Sequence, residues 1–189
     1  VRKQDRVALT WIGDGGSNVG DFHEGLNFAG VLKLPFVLIL ENNKWAYSTP
    51  TARQTANPRF VDRARAYGCA GAEVDGNDVL AVYEATRRAA EAVRRGDGPR
   101  FLELKTYRFR AHSMFDPELY RDKAEVEAWK QRDPIVLLRA RLEREGALDA
   151  ATASAIETEV DAEVAAAVAV AEAGTWEPVE DLTKDVYTR

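Results

Sequence analysis

Two apolar runs, RVALTWIG (residues 6–13) and PFVLILEN (35–42), most constrain what this chain can fold into. Neither alternates with polar residues, so each reads as a strand buried on both faces. Between them DFHEGLNFAGVLK (21–33) sets Phe22, Leu26, Ala29 and Leu32 near helical spacing, with Asp21 as the expected cap and two internal glycines against it. Strand, glycine-rich turn, helix and strand in that order predict a parallel pair. The pattern then continues. FVDRARAYG reads as a short helix stopped at Gly68, AGAEVDG as a strand, and PRFLELKTYRF (99–109) as another strand. NDVLAVYEATRRAAEAVRRG reads as a helix starting at Asn77 or Asp78 and ending at Gly96, with Val79, Val82, Tyr83, Thr86, Ala90 and Val93 on one face. The fold class is α/β, a mainly parallel sheet flanked by helices, with a helical carboxyl-terminal region.

That region follows RAHSMFDPELY (110–120), where Pro117 and scattered charge read as a loop. DKAEVEAWK starts on Asp122, with Glu125 placed for a capping box. DPIVLLRARLEREG has Asp133 as cap, Pro134 at the first helical position and Gly146 as stop. The last helix carries Ile156, Val160 and Val164 four apart and turns almost wholly apolar around Ala165–Ala171. Burial in a core and contact with a partner account for that stretch equally well. The expected division is residues 1–110 as an α/β domain, 111–121 as a loop, and 122–189 as a helical extension of the same domain.

Composition removes several classes of function. The chain has 189 residues, enough for one domain with a full core, and a formal charge of −5 that argues against broad nucleic-acid contact. One cysteine, Cys69, and two histidines exclude a disulfide framework and a cysteine/histidine zinc cluster. No stretch approaches the ~20 apolar residues of a membrane span. The start VRKQDRVALT carries neither an initiator Met nor a secretory core, and it runs at once into a strand. A reducing, intracellular setting and a chain cut from something longer are the expectations.

The turn IGDGGSNVGDFHEG (12–25) directs attention to Asp14. It stands just past a strand's carboxyl end, where open parallel sheets bind ligands. Gly13, Gly15 and Gly16 let the backbone turn tightly and expose N–H groups before a helix, which suits a phosphate. A carboxylate there repels phosphate unless a cation intervenes, so Asp14 points to Mg²⁺ or Ca²⁺ bridging to a diphosphate. Asn42 and Asn43, at the end of the next strand, offer further oxygens. The nicotinamide fingerprint fails because its sixth position is Asn18, and no Lys followed by Ser or Thr completes a P-loop.

GDG, twenty-six residues and then NN resembles the thiamine diphosphate motif. DFHEGLNFAGVLKLP, STPTARQ, VDGNDVLAVYEATRRAA, GPRFLELKTYRFRAHSMFDPELYR and RDPIVLLRARL are similar, in the same order, to the α subunit of the decarboxylating component of 2-oxo acid dehydrogenase complexes. The resemblance covers essentially the whole chain, as the carboxyl-terminal half of such a subunit, which implies that the 1–110 domain is incomplete at its amino-terminal side and that 111–121 is an active-site loop. It implies a thiamine diphosphate-binding fold in which Asp14 and Asn43 bind the metal by side-chain oxygens and Trp45 by its backbone carbonyl. Gly15 and Gly16 would lie against the diphosphate. His112 would serve the diphosphate and acyl transfer to a lipoyl group, Arg108 would order the loop, and Ser113 matches a regulatory phosphorylation site of mitochondrial relatives. Departures occur at Arg110, Ala111 and Phe115, and Glu41 replaces an arginine that contacts phosphate in branched-chain relatives.

The resemblance further implies oxidative decarboxylation of a 2-oxo acid and transfer of the acyl group to a lipoyl acyltransferase. It implies a β subunit in an α2β2 heterotetramer that brings the activating glutamate, and inactivity of this chain alone. AYSTPTARQ leans towards branched-chain substrates, whereas HSMFDPELYR and RDPI lean towards pyruvate or acetoin; pyruvate is slightly favoured. The location implied is cytoplasmic, or the mitochondrial matrix for a eukaryotic source. A transketolase-like transferase and a non-catalytic, partner-binding subunit are the readings from other classes.

Overall fold

The computed structural model describes residues 6–186. The segment VRKQD, read above as part of the chain's abrupt start, lies outside the described residues. The chain divides between Leu138 and Arg139 into two compact units.

The first unit is built on β1 (Ala8–Gly13), α1 (Gly20–Val31) and β2 (Phe36–Asn42). A small hairpin follows, β3 (Trp45–Ala46) and β4 (Thr49–Pro50), paired antiparallel and running into α2 (Thr51–Gln54). Then come α3 (Val61–Ala66), β5 (Ala70–Asp75), α4 (Val79–Arg94), β6 (Arg100–Lys105) and α5 (Lys123–Lys130). The four long strands form one parallel sheet in the order β1-β2-β6-β5.

Alternation along the two central strands explains the layers. Leu38, Leu40 and Phe101 join Phe22 and Leu26 of α1 and Val61 and Ala64 of α3 in one buried cluster. Val37, Ile39, Leu102 and Leu104 face the other way and pack with Ala85, Ala89 and Val93 of α4. Successive side chains of a strand point to opposite faces, so a run that is apolar throughout needs helices on both sides. A third cluster, Trp45, Tyr107 and Val126, forms beside the sheet, where the Tyr107 and Trp129 rings stack with centroids 5.3 Å apart.

Several expectations need correction. β1 is an edge strand, and its Leu9 and Trp11 are exposed rather than buried on two faces. An apolar run alone does not reveal which strands end up at the edge. Asp21 does not cap α1; Val19 occupies the cap position with no side-chain bond, and Asp21 lies in the first turn. The glycines of α1 are tolerated because one is required: a Cβ on Gly30 would lie 2.3 Å from the Tyr67 carbonyl oxygen. The buried face of α4 runs through Ala85, Ala89, Ala92 and Val93, while Tyr83 points to solvent. Asp78 does cap that helix, accepting from the N–H groups of Leu80 and Ala81. β6 stops at Lys105, four residues before the predicted end; beyond it the N–H groups of Thr106 and Arg108 still donate to the carbonyls of Asn42 and Asn43. Asp122 caps α5 through the Ala124 N–H rather than through a capping box.

α6 (Pro134–Arg144) spans the division, starting behind Asp133, which accepts from the N–H of Ile135. The second unit holds α7 (Ala150–Ala173), capped by Asp149. Ile156, Val160 and Val164 of α7 are exposed, and Arg139 pairs with Glu157 at 2.7 Å. Among the described residues, no helix is long and apolar enough to cross a membrane.

Candidate functional site

The carboxyl ends of β1 and β2 lie side by side. Gly13 pairs in register with Glu41, so Asp14 and the Asn42–Asn43 pair leave adjacent strand tips. Asp14 is only 1% exposed. Its Oδ2 accepts a 2.7 Å hydrogen bond from Gln54 Nε2, and the same Nε2 donates to the Thr49 carbonyl at 2.9 Å. The turn after Asp14 packs directly on the hairpin: a Cβ at Gly15 would come 2.6 Å from the Ala46 Cβ. Only glycine allows that approach, so Gly15 is needed for packing whatever else its N–H does.

The two asparagines have different duties. Asn42 is buried, donates from Nδ2 to Glu103 Oε1 at 2.9 Å, and accepts on Oδ1 from the Lys44 N–H at 3.3 Å. Its polar atoms face the scaffold. Asn43 is half-buried, and its Oδ1 accepts from the Trp45 N–H at 3.0 Å, a local turn that fixes the side chain and leaves an oxygen lone pair. Lys44, between Asn43 and Trp45, adopts φ +75°.

Behind the turn, Ser17 donates to the Asp14 carbonyl at 2.7 Å. Arg63 of α3 donates to the Ser17 carbonyl and hydroxyl at 2.6 and 2.7 Å, and to Asn18 Oδ1 at 2.8 Å. Gly16 opens the 3-10 turn Gly16–Asn18 that carries these groups. Glu103 is fully buried on β6 and accepts from Asn42 and from the Val61 N–H at the start of α3. One hydrogen-bonded path therefore runs from one strand tip through α3 to the other.

His112, Ser113 and Arg108 lie in or beside the 110–120 loop. Arg108 reaches the Tyr47 carbonyl at 2.9 Å, the Tyr120 hydroxyl, and His112 Nδ1 at 3.4 Å. Asp116 accepts from the His112 N–H at 2.9 Å, the Glu118 N–H at 2.9 Å and the Tyr120 hydroxyl at 2.6 Å. Arg121 closes the loop on the carbonyls of Arg108 and Phe109. Burial pushes the Asp116 carboxyl upward, but the hydrogen bonds from Tyr120 and the two N–H groups outweigh it and hold the group below its ordinary value. Burial, with the bond to Asp116, pushes the Tyr120 hydroxyl up to about 12. The His112 ring is exposed and sits 5.0 Å from the Tyr47 ring. Ser113 is exposed too, as are Met114 at 97% and Phe115 at 96%.

The sequence matches the family described as "Dehydrogenase E1 component" over residues 1–180. The chain belongs to the dehydrogenase E1 component family. It is 40% identical over its whole length to the "Pyruvate dehydrogenase E1 component subunit alpha" of Bacillus subtilis, covering 51% of that protein. It is 39% identical to the Bacillus cereus protein of the same name over the whole chain, covering 52% of that protein. A Staphylococcus aureus relative of that name is 44% identical over 77% of this chain and 40% of its own length. This E1-family chain thus spans about half the length of the curated relatives it matches. Sequence reasoning missed Gln54, Arg63, Glu103 and Asp116. A glutamate inside the apolar run FLELK was the one visible signal among them.

Proposed function

We propose that this chain forms the metal- and diphosphate-anchoring part of the α subunit of a 2-oxo acid dehydrogenase decarboxylating component. Thiamine diphosphate is the cofactor, and Mg²⁺ or Ca²⁺ the ion joining it to protein. Asp14 carries the reading. A carboxylate this buried, held by a neutral amide, favours a cation beside it. The donor set is all oxygen with a single negative charge: the Asp14 carboxylate, the Asn43 amide oxygen and the Trp45 carbonyl. That set suits a hard divalent ion whose other ligands are phosphate and water.

When bound, thiamine diphosphate supplies the electron sink for decarboxylation. The protein's part is positional. Gly15 and Gly16 bring backbone to the diphosphate position. Asn42 and Glu103 fix the second strand tip, and Arg108 and Asp116 hold His112 on its loop, residues 111–121. His112 is the exposed imidazole of that loop, assigned to the diphosphate and to acyl transfer to a lipoyl group. Ser113 beside it is the position where a phosphate would add negative charge next to a diphosphate and disorder the loop.

A β subunit in an α2β2 heterotetramer, a lipoyl acyltransferase and a cytoplasmic location complete the proposal. Pyruvate is the favoured substrate, in keeping with the relatives' names, with branched-chain 2-oxo acids and acetoin as alternatives. Calorimetry on the assembled component tests the anchor: thiamine diphosphate should bind in the presence of Mg²⁺ and lose that binding in chelator or in Asp14→Ala. Metal-independent binding, or binding that survives the substitution, would overturn it. Lipoyl-dependent turnover of each 2-oxo acid then ranks the substrates.

A further inference from the structure

We propose that Gln54 is a positioning residue for Asp14, turning its carboxylate towards the cofactor's metal; this rests on the anchoring reading above. Nε2 of Gln54 faces two acceptors, Asp14 Oδ2 at 2.7 Å and the Thr49 carbonyl at 2.9 Å. The amide cannot be reversed, since its carbonyl would then oppose both. Its own Oε1 is buried without a hydrogen-bond partner. The side chain leaves that oxygen unpaired while both its bonds secure Asp14 to the hairpin.

The choice of a neutral partner is informative. Exposed carboxylates of the same unit are given cations, Asp75 with Arg132 and Glu73 with Arg59 and Lys105, whereas buried Glu103, like Asp14, is held by neutral donors. A lysine or arginine at position 54 would neutralise Asp14 and compete with an incoming ion. Glutamine fixes the orientation and leaves the charge in place. Its bond to Thr49 anchors it to β4, so one carboxylate oxygen is occupied from a fixed point and the other is left for a ligand. Outer-shell partners of this kind typically account for about 10–100-fold in metal affinity.

The test is a Mg²⁺ titration by calorimetry on the assembled component at saturating thiamine diphosphate. Gln54→Met keeps the length without a donor; Gln54→Asn keeps the amide but falls one methylene short. Each should raise the Mg²⁺ Kd by about 10–100-fold. In an Asp14→Asn background, Gln54→Met should add no further loss, because the two act as one unit. If the Met variant does not fold, the Asn variant carries the same prediction. Wild-type Mg²⁺ affinity in the Gln54 variants with loss in Asp14→Asn, or fully additive losses, would overturn the role of Gln54 and spare the anchor. Wild-type affinity in Asp14→Asn would remove both.

Discussion

At the scale of single residues, the two strand tips depend on groups buried behind them. Glu103 is the clearest case. It lies among Phe101, Leu102 and Leu104 on a central strand, yet it is kept because two N–H donors, from Asn42 and Val61, converge on its oxygens. Glu103→Gln leaves one oxygen for two donors and sets an N–H against one of them. The expected cost is about 1–3 kcal/mol of stability, read by denaturant unfolding. An unchanged midpoint would mean that both donors find other partners. The sequence shows the aspartate and the asparagines because chemistry demands those types at strand ends. It does not show Gln54 or Arg63, since each reaches its partner across about forty residues of chain and neither carries a local pattern.

At the scale of elements, the hairpin and the 110–120 loop do the positioning. The hairpin's strands are two residues each, too short for any hydrophobic period to register. Its bends sit at Lys44 and Tyr47, both with positive φ and neither a glycine, so the usual turn signals are missing. The loop was legible as a loop; its internal order was not, because it arises from side chains rather than backbone pairing. Asp116 gives that order a pH dependence. Its carboxyl lies below the ordinary value in the folded chain, so its stabilisation is complete above that value and is lost as pH falls through the lowered one. Hydrogen exchange at the N–H groups of His112 and Glu118, corrected for the intrinsic rate, should accelerate in acid below the ordinary carboxylate range. Asp116→Asn should show the fast exchange already at neutral pH. Loop protection that is flat across that range would contradict the role given to Asp116.

At the scale of the whole molecule, the unbroken apolar runs between helical segments foretold a parallel sheet with helices on both faces, and β2 and β6 realise it. What the runs could not foretell is strand order. β1 reads like a central strand but stands at the edge, leaving Leu9 and Trp11 exposed. An open apolar edge invites association. The 189-residue chain on its own should therefore self-associate with rising concentration in sedimentation velocity, and Trp11→Lys should reduce this; a monomer at all concentrations would refute the expectation. The central claim concerns the two strand tips. It is tested most directly by crystals of the assembled component grown with thiamine diphosphate and Mn²⁺, using anomalous scattering to locate the metal. The account predicts a single peak within bonding distance of the Asp14 carboxylate and the Asn43 amide oxygen. A peak held by other residues, with Asp14 still bonded only to Gln54, would contradict it.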